Sequence, residues 1–270
     1  MTRREKSFRQ LHHEGELLLL PNVWDPLGAL GYPAVATSSY AVALSNGYQD
    51  GERLPFQELL SLLKRIVSVV NIPVTADIEC GYASNNAQLK EHINHIIDTG
   101  VAGINFEDSI PGKREMIHIK DQCDKIELIK ETALARGSDL FVNARIDVYI
   151  HSPTLNDNEK LSVAIERGRA YKEAGADGLY PIILKDKKHL EVLVQETGLP
   201  INITLLPGSP DLKSLQNIGI ARISMASGFL KTAFTSMKKM GEKLLLHENV
   251  HEEINNMVSS EYLNNLIPGK

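Results

Sequence analysis

Two carboxylates at the end of an apolar stretch are the most chemically suggestive feature of this sequence. The segment VTADIECGY, residues 74–82, begins as a β-strand and then places Asp77 and Glu79 two positions apart. Side chains two apart on a strand share one face, so both acids are expected to point the same way. Buried carboxylates without a counter-charge resist ionisation. The pair therefore predicts a bound cation, and oxygen-only ligands favour a hard ion such as Mg²⁺, or Mn²⁺.

Other charged residues follow neighbouring predicted strands. GINFEDS carries Glu107 and ARIDVYI carries Arg145. Mg²⁺ keeps several of its waters, so one direct carboxylate with other acids on the waters is chemically reasonable. The planar guanidinium of Arg145 suits a substrate carboxylate or phosphoryl group. The alternative is a set of structural ion pairs, but three acids and an arginine at neighbouring strand ends favour a metal site for an anionic substrate.

Two polar loops are expected to cover this site. SNGYQDGERLP, residues 45–55, carries Asp50, which we expect to act as an acid, a base or an electrostatic gate. A simple Asp-Gly turn is the alternative role for Asp50. DSIPGKREMIHIK, residues 108–120, carries Lys113 and Arg114, either of which could pair with substrate charge.

The elements that must position these residues alternate between strand and helix. Helical periodicity is clear at 56–70 and 159–175, and Gly100, Gly175 and Gly219 are expected to end helices. Eight apolar runs are predicted as strands, at 16–24, 34–39, 72–79, 102–108, 139–147, 177–183, 200–206 and 221–226. Continuous apolar runs indicate parallel strands covered by helices on both faces.

This order predicts an α/β fold, a (β/α)₈ TIM barrel in which residues 1–270 form a single domain. The barrel is expected over about 16–230, with a helical segment over about 229–270 that packs on a neighbouring subunit. A doubly wound open sheet is the alternative, but neither G-x-G-x-x-G after the first strand nor G-x-x-x-x-G-K-[ST] is present. In a barrel, the active site lies at the carboxyl ends of the strands, where these acids fall.

Composition narrows the partners. The chain has 270 residues, with 29 Lys and Arg against 34 Asp and Glu, a net charge of −5 that favours neither nucleic acid nor an anionic membrane. Two cysteines make no disulfide framework and favour a reducing, cytoplasmic setting. The apolar run at 17–20 is too short for a signal peptide or a membrane span. We expect His12, His13, His92 and His95 to lie at the surface, because no third metal ligand accompanies them.

Several motifs together resemble the isocitrate lyase/phosphoenolpyruvate mutase superfamily, in particular its short phosphoenolpyruvate phosphonomutase-like members. These motifs are NVWDPLGALGYPAVATSS, GYQDGERLP, TADIECGY, GINFEDS, ARIDVYI, GADGLYPI and LLPGSPDL…IGIARIS, spread over roughly residues 20–230. The resemblance implies a barrel that forms a homodimer or homotetramer, with an end helix exchanged between subunits. It also implies Mg²⁺ and a small anionic carboxylate substrate, cleaved through an enolate-like species.

The same resemblance implies roles for individual residues. Asp77 would contact the metal directly, while Glu79 and Glu107 hold its waters. Ser38 and Ser39 would bind the substrate carboxylate, and Arg145 its anionic end. Asp50, Arg145 and Glu107 form the expected catalytic set. Three further residues, Trp24, Asp25 and Asn202, are expected to line the substrate pocket.

This chain also departs from the superfamily. The lyases carry a Lys-x-Cys-Gly-His-type loop after the strand-four acid, and here that loop has no cysteine. Pro181 occupies the region where the mutase has a histidine, and Cys80 is expected to be a packing residue. We therefore expect a Mg²⁺-dependent lyase that cleaves a C–C bond in a small 2-oxo or 2-hydroxy acid, by oxaloacetate-like decarboxylation or retro-aldol cleavage. The alternatives are P–C chemistry, as a phosphonopyruvate hydrolase or mutase, and a catalytically silent binding barrel.

Overall fold

Parallel strands alternating with helices form the framework of the protein. The computed structural model describes residues 7–13, 15–29, 32–113 and 115–266. Within those residues the strands are β1 (Leu18–Leu20), β2 (Asn22–Val23), β3 (Val35–Thr37), β4 (Val74–Asp77), β5 (Gly103–Glu107), β6 (Phe141–Ile146), β7 (Gly178–Pro181), β8 (Ile201–Thr204) and β9 (Ile220–Ser224). They pair in parallel in the order β1-β9-β8-β7-β6-β5-β4-β3-β2. The predicted (β/α)₈ barrel is confirmed.

The first predicted strand closes the barrel by serving both edges of the sheet. Pro21 has no N–H to donate and divides this strand into β1 and β2. On one side Leu20 lies opposite Ser224 of β9, and on the other Asn22 lies opposite Ala36 of β3. This segment therefore joins β9 to β3. The sequence predicted one strand over 16–24, and the structure has two shorter strands within that range, because Pro21 interrupts the ladder.

Helices surround the barrel. The described residues contain α1 (Phe8–Leu11), α2 (Ser39–Ser45), α3 (Phe56–Val69), α4 (Asn86–Ile97), α5 (Ile119–Ala135), α6 (Val148–His151), α7 (Asp157–Glu173), α8 (Lys187–Thr197), α9 (Leu212–Asn217), α10 (Gly228–Leu245), α11 (His251–Asn255) and α12 (Ser260–Leu266). Their apolar faces bury the outward side chains of the strands, as Leu63 and Ile66 of α3 do. None of the helices in the described ranges combines the length and the apolar character that crossing a bilayer needs.

The inside of the barrel is polar just below the strand ends. On five strands, the residue two positions before the charged or polar residue at the carboxyl end is itself polar and buried. These residues are Thr75, Asn105, Asn143, Asn202 and Arg222. The side-chain Oδ1 of Asn105 accepts from Asn143 Nδ2 at 2.8 Å and from Arg222 Nη2 at 3.2 Å. Burial lowers the pKa of the Arg222 guanidinium to about 10, against the attraction of Tyr180 and Asp77. The acids at the mouth therefore sit above a layer that carries positive charge.

The amino-terminal segment packs into a small separate apolar cluster. Phe8 and Leu11 of α1 are buried together with Leu18, Leu20 and Phe141. His12 stacks on the Phe141 ring, with centroids 4.2 Å apart, and only 6% of the residue is exposed. The expectation that His12 lies at the surface is therefore wrong, because the aromatic cluster supplies a better environment for its ring than solvent does.

His92 also lies partly inside, while His13 is exposed. The ring of His92 stacks on Phe56 at 3.9 Å between centroids, and its Nδ1 lies 3.1 Å from the Gly81 carbonyl oxygen. The surface prediction is wrong for His92 as well. Both corrections have the same cause, an aromatic neighbour from a distant part of the chain.

The carboxyl-terminal helices leave much apolar surface uncovered. Phe234 and Met237 of α10 are 62% and 70% exposed, and Met257 and Tyr262 further along are each 54% exposed. The predicted helical segment at 229–270 is confirmed over the described residues, and α10 itself contains no buried residue. A partner surface is the simplest cover for such a face.

His12 should make stability depend on pH. Burial, aided by the charge of Arg222, lowers the pKa of His12 to about 3 from 6.5. Between these two pH values His12 is protonated in the unfolded chain and neutral in the folded protein. Its contribution to the free energy of unfolding is therefore complete above pH 6.5 and is lost as the pH falls toward 3. Between pH 7.5 and 5.5 the free energy of unfolding should fall by about 1.4 kcal/mol through this residue.

Urea unfolding of wild type and His12→Gln at the two pH values measures the effect. The His12→Gln variant should lose this part of the pH dependence, whereas His13→Gln, which alters the exposed neighbour, should keep it. Equal pH slopes for wild type and His12→Gln would contradict the assignment.

Candidate active site

The carboxyl ends of β3 to β6 bring the predicted acids together at one mouth of the barrel. Asp77 is the last residue of β4, Glu107 the last of β5, and Arg145 lies beside Glu107 in the β5–β6 register. Arg145 Nη1 lies 2.6 Å from Glu107 Oε2, and the two side chains form an ion pair. The three strands thereby place two carboxylates and one guanidinium at one end of the barrel.

Asp77 is held lightly, by backbone N–H groups. Its Oδ2 accepts from the Ser39 N–H and its Oδ1 from the Glu79 N–H, each at 3.3 Å. Its own N–H donates to Thr37 Oγ1 at 2.8 Å. Both oxygens of this half-buried side chain keep lone pairs free for a further partner, as a direct metal ligand requires.

Glu79 lies in the turn after β4 and both of its oxygens are engaged. Oε2 accepts from the Glu52 N–H at 2.8 Å, and Oε1 accepts from the Tyr82 hydroxyl at 3.1 Å. Burial, followed by repulsion from Asp50, Asp77 and other nearby acids, raises the pKa of Glu79 to about 8. Burial and the neighbouring acids therefore oppose ionisation of Glu79, and a bound cation would favour it.

Glu107 faces the same opposition. Burial raises the pKa of Glu107, and repulsion from Asp147 and Asp77 adds to the rise, although Arg145 counters it. The single positive charge of Arg145 therefore does not balance the negative charges of the acids around it. An excess of buried oxygen donors over cations is the chemistry of a divalent-cation site.

Asp147 holds Arg145 in place through a two-pronged contact. Arg145 Nε donates to Asp147 Oδ1 at 2.6 Å and Nη2 donates to Oδ2 at 2.9 Å. Burial opposes the charge of Arg145, but Glu107, Asp147 and Asp77 outweigh it and raise the pKa of the guanidinium. The hydrogens on Nη1 and one hydrogen on Nη2 take no part in these two hydrogen bonds, so the guanidinium keeps donors for a substrate oxygen.

A buried network behind β5 and β6 fixes Asp147 in turn. The Asp147 N–H donates to Asp108 Oδ1 at 2.9 Å, and Asp108 Oδ2 accepts from Arg167 Nη1 at 2.9 Å and from the Tyr171 hydroxyl at 2.7 Å. Arg167 also donates to the Ile117 carbonyl at 3.0 Å, at the far end of the loop after β5. The α7 helix thereby anchors both Arg145 and the base of that loop.

Asp50 approaches the site from the loop after α2. Burial raises the pKa of its carboxyl, the charge of Asp77 adds to the rise, and a hydrogen bond with the Ser39 side chain opposes it. The loop at 45–55 thus brings Asp50 to the acids, as expected. In the second loop Lys113 is exposed, and Arg114 lies outside the described residues.

Two further predicted site residues, Ser38 and Asn202, lie around the acids rather than among them. Ser38 caps α2, its Oγ accepting from the Ala41 N–H at 3.4 Å. Asn202 is buried one layer below Thr204, and its Nδ2 donates to Ser224 Oγ at 3.4 Å while its Oδ1 has no hydrogen-bond partner among the described residues.

Trp24 and Asp25 lie near α2 and α3. Asp25 Oδ1 accepts from the Gly28 N–H at 2.8 Å, which forms a local turn. Both residues line a cavity of about 350 Å³ with Ser45 and Arg65 among its other walls. Their assignment to the substrate pocket stays a prediction.

The donor set fits a hydrated metal better than a fully protein-bound one. Within the described ranges no three side chains of His, Cys, Asp or Glu converge closely enough to hold a metal ion by themselves. An arrangement with Asp77 as direct ligand and waters held by Glu79 and Glu107 does not need such convergence. The burial of Glu79 and Glu107 among other acids, which raises the pKa of both, favours a cation here.

Sequence reasoning missed several residues that shape the site, chiefly Glu52, Tyr82 and Arg167. Glu52 and Tyr82 belong to motifs quoted above. The acidic side chain of Glu52 near Asp50, and the position of Tyr82 near Glu79, could have indicated a role in the site. Arg167 lies in a helix and gave no signal.

Cys80 is buried, and its Sγ donates to the Ser109 carbonyl at 2.7 Å. Burial and the nearby Glu107 raise the pKa of this thiol, so it lacks the thiolate that cysteine chemistry needs.

Comparison with known proteins identifies a family and relatives of this chain. The model of the family described as phosphoenolpyruvate phosphomutase matches residues 8–245. An uncharacterized protein of Mycobacterium tuberculosis (strain ATCC 25618 / H37Rv) is 32% identical over 226 residues, 82% of each chain. The 2-methylisocitrate lyase of Halalkalibacterium halodurans is 27% identical over 251 residues, 86% of this chain and 79% of the lyase.

Solved structures give the same picture. A Burkholderia cenocepacia J2315 protein described as a candidate phosphonomutase is 35% identical with a TM-score of 0.83, covering 87% of this chain and 97% of that one. Phosphonopyruvate hydrolase in complex with oxalate and Mg²⁺ has a TM-score of 0.82 over 98% of this chain and 95% of that one, and its 21% identity supports likeness of fold alone.

The family model spans nearly all of the barrel, and the named homologues are enzymes that act on carboxylic acids. This chain belongs to the phosphoenolpyruvate phosphomutase family, within the isocitrate lyase/phosphoenolpyruvate mutase superfamily.

Proposed function

We propose that this protein is a Mg²⁺-dependent lyase that cleaves a C–C bond in a small 2-oxo or 2-hydroxy carboxylic acid through an enolate-like species. The observation that carries the proposal is the excess of buried carboxylates around Arg145 at the barrel mouth. A site of this kind gains from a divalent cation together with an anionic substrate that engages the remaining Arg145 hydrogens.

The metal would bind at Asp77, with Glu79 and Glu107 holding its waters, and Mn²⁺ is an acceptable substitute. When bound, Mg²⁺ would supply a Lewis acid beside the oxygen on which negative charge develops. Asp77 is suited to direct contact because its two hydrogen bonds, at 3.3 Å each, leave lone pairs on both oxygens.

Substrate binding falls to Arg145 and to the start of α2. The remaining hydrogens of Arg145 are directed by the two-pronged contact with Asp147 and the ion pair with Glu107, so they are preorganised for an anionic group. Ser38 and Ser39 would bind the substrate carboxylate through N–H and hydroxyl groups. Water exclusion by the loop at 45–55 would strengthen these contacts.

Asp50 is proposed to move the proton. A carboxyl whose pKa is raised can hold a proton closer to neutrality than an ordinary aspartate, and can therefore donate it to an enolate carbon. Glu107 would assist by orienting Arg145 across the β5–β6 register. Both free cysteines, Cys80 and Cys123, are consistent with the cytoplasm as the proposed location.

Phosphorus–carbon chemistry is the second candidate. The specific observation that favours it is the 35% identity to the candidate phosphonomutase. The same groups would serve either reaction, because both develop enolate character beside a carboxylate. The bond that breaks depends on what the two loops admit.

A substrate panel distinguishes the two candidates. The protein is incubated with Mg²⁺ and oxaloacetate, malate-type acids or phosphonopyruvate, and pyruvate and phosphate are followed, with phosphorus NMR for rearrangement. We expect a 2-oxo acid without phosphate from a carbon substrate, which is pyruvate with loss of CO₂ from oxaloacetate and glyoxylate with acetate from malate, the glyoxylate being followed in the same way. Phosphate or a rearranged phosphorus species from phosphonopyruvate would instead establish the second candidate.

A matched pair of variants controls the panel. Asp77→Asn should abolish Mg²⁺-dependent turnover, because it removes the direct ligand charge. Asp98→Asn alters an exposed acid paired with Arg136 Nη2 and should retain turnover. Full activity in Asp77→Asn would contradict the metal assignment, and no product from any acid would contradict the proposed enzyme.

We also propose a homodimer or homotetramer in which the carboxyl-terminal helices pack on a neighbouring subunit. Beside α10 a cavity of about 370 Å³ is lined largely by apolar groups, among them Trp24, Met225 and Phe229. The exposed apolar side chains of α10 would be covered by the same contact.

Light scattering in solution measures the assembly. Wild type should have two or four times the chain mass of 29.9 kDa. The double variant Phe234→Glu/Met237→Glu places charge on the exposed apolar face and should lower that mass, whereas Lys238→Ala, on the same helix, should not. A wild-type mass of one chain would contradict the proposal.

A further inference from the structure

A reciprocal contact joins the loop that carries Asp50 to the turn that carries Glu79. Glu52 Oε1 accepts from the Tyr82 N–H at 2.7 Å and from the Cys80 N–H at 3.1 Å. In the opposite direction, the Glu52 N–H donates to Glu79 Oε2 at 2.8 Å. Three hydrogen bonds thus connect segments 27 to 30 residues apart in the chain.

Aromatic packing reinforces this contact on its far side. The Tyr82 hydroxyl donates to Glu79 Oε1 at 3.1 Å, while the Tyr82 ring lies 5.6 Å from the Phe56 ring between centroids. Phe56 begins α3, directly after the loop at 45–55. The turn at 79–82 is therefore braced against both the loop and the helix that follows it.

Backbone strain is concentrated at the same place. Six non-glycine residues of the described chain have a positive φ, and three of them are Glu52 (59°), Glu79 (50°) and Tyr82 (57°). Glycine adopts this left-handed region at no steric cost, so an L side chain persists there when surrounding contacts over-determine it. The side chains of all three strained residues belong to one hydrogen-bonded set.

We propose that Glu52 is a positioning residue, a clasp that fixes the loop at 45–55 against the turn at 79–82 and so sets Asp50 and Glu79 relative to each other. The proposed catalytic roles of those two acids rest on the proposed function, but the clasp itself is a property of this chain. Asp50 stands two residues before Glu52, so release of the carboxylate frees the segment that carries the proton donor. Release also removes the N–H partner of Glu79.

Variants at Glu52 test the clasp. Glu52→Ala removes both acceptor bonds, whereas Glu52→Gln keeps an Oε1 that can accept from the same two N–H groups. Glu58→Ala is the matched control, since Glu58 Oε1 accepts only the Tyr48 hydroxyl on the exposed side of the same region. Glu52→Gly removes the carboxylate without backbone strain and replaces Glu52→Ala if that variant does not fold.

Hydrogen exchange without metal gives the first readout. In Glu52→Ala the amides of Cys80 and Tyr82 should exchange about tenfold faster or more, because each loses its acceptor, while core strand amides stay protected. Glu52→Gln and Glu58→Ala should exchange as wild type does. Unchanged exchange at these two amides in Glu52→Ala, or an equal rise in Glu52→Gln, would overturn the clasp.

Mn²⁺ titration by electron paramagnetic resonance gives the second readout. Glu52→Ala should bind Mn²⁺ about tenfold more weakly, and Glu52→Gln should restore wild-type affinity, a rescue that a merely structural role would not give. Wild-type Mn²⁺ affinity in Glu52→Ala would overturn the positioning role. If wild type itself binds no Mn²⁺, the proposed metal site fails, and the exchange measurement still decides the clasp.

Discussion

The surplus of buried carboxylates over positive charge at the barrel mouth is the constraint on which the rest of this structure depends. Arg145 is enclosed by Glu107 and Asp147, and Asp77 lies near enough to raise its pKa further. One guanidinium satisfies part of that negative charge, yet Glu79 and Glu107 still have raised pKa values. A folded chain that keeps such a cluster gives up stability, and a divalent cation is the chemically simplest way to regain it.

The surrounding architecture can be understood as support for that cluster. Parallel strands deliver the acids to one end, and the layer beneath them is amide-rich and contains Arg222 rather than aliphatic side chains. Behind Arg145, Asp147 is fixed through Asp108 to Arg167 of α7. In front of the acids, Glu52 connects the loop that carries Asp50 to the turn that carries Glu79. Each of these contacts positions one or two of the charged residues at the barrel mouth. The site is therefore held from below, from behind and from the front.

Much of this could be predicted from the sequence, and the failures have physical causes. Strand–helix alternation and the acids of TADIECGY and GINFEDS are local patterns. The barrel and the strand ends that carry the acids could therefore be predicted. The division of the first strand at Pro21 was also legible in principle, since proline cannot continue the ladder. His12 and His92 were mispredicted because their aromatic partners, Phe141 and Phe56, come from distant segments.

Long-range contacts explain the remaining omissions. Arg167 lies in the middle of α7 and meets Asp108 across 59 residues, which no spacing rule reveals. The role of Glu52 depends on left-handed backbone at three positions, and glutamate and tyrosine give no sequence sign of that conformation. The site residues were visible, but the side chains that position them required the folded chain.

Proton release on metal binding is the most direct test of the central claim. Mg²⁺ is titrated into the protein by calorimetry, in buffers that differ in ionisation enthalpy. With the pKa of Glu79 near 8 and that of Glu107 raised as well, binding at pH 7 should release at least about one proton per Mg²⁺, and the release from Glu79 should disappear near pH 9. Binding at pH 7 without proton release, or no binding at all, would contradict the account.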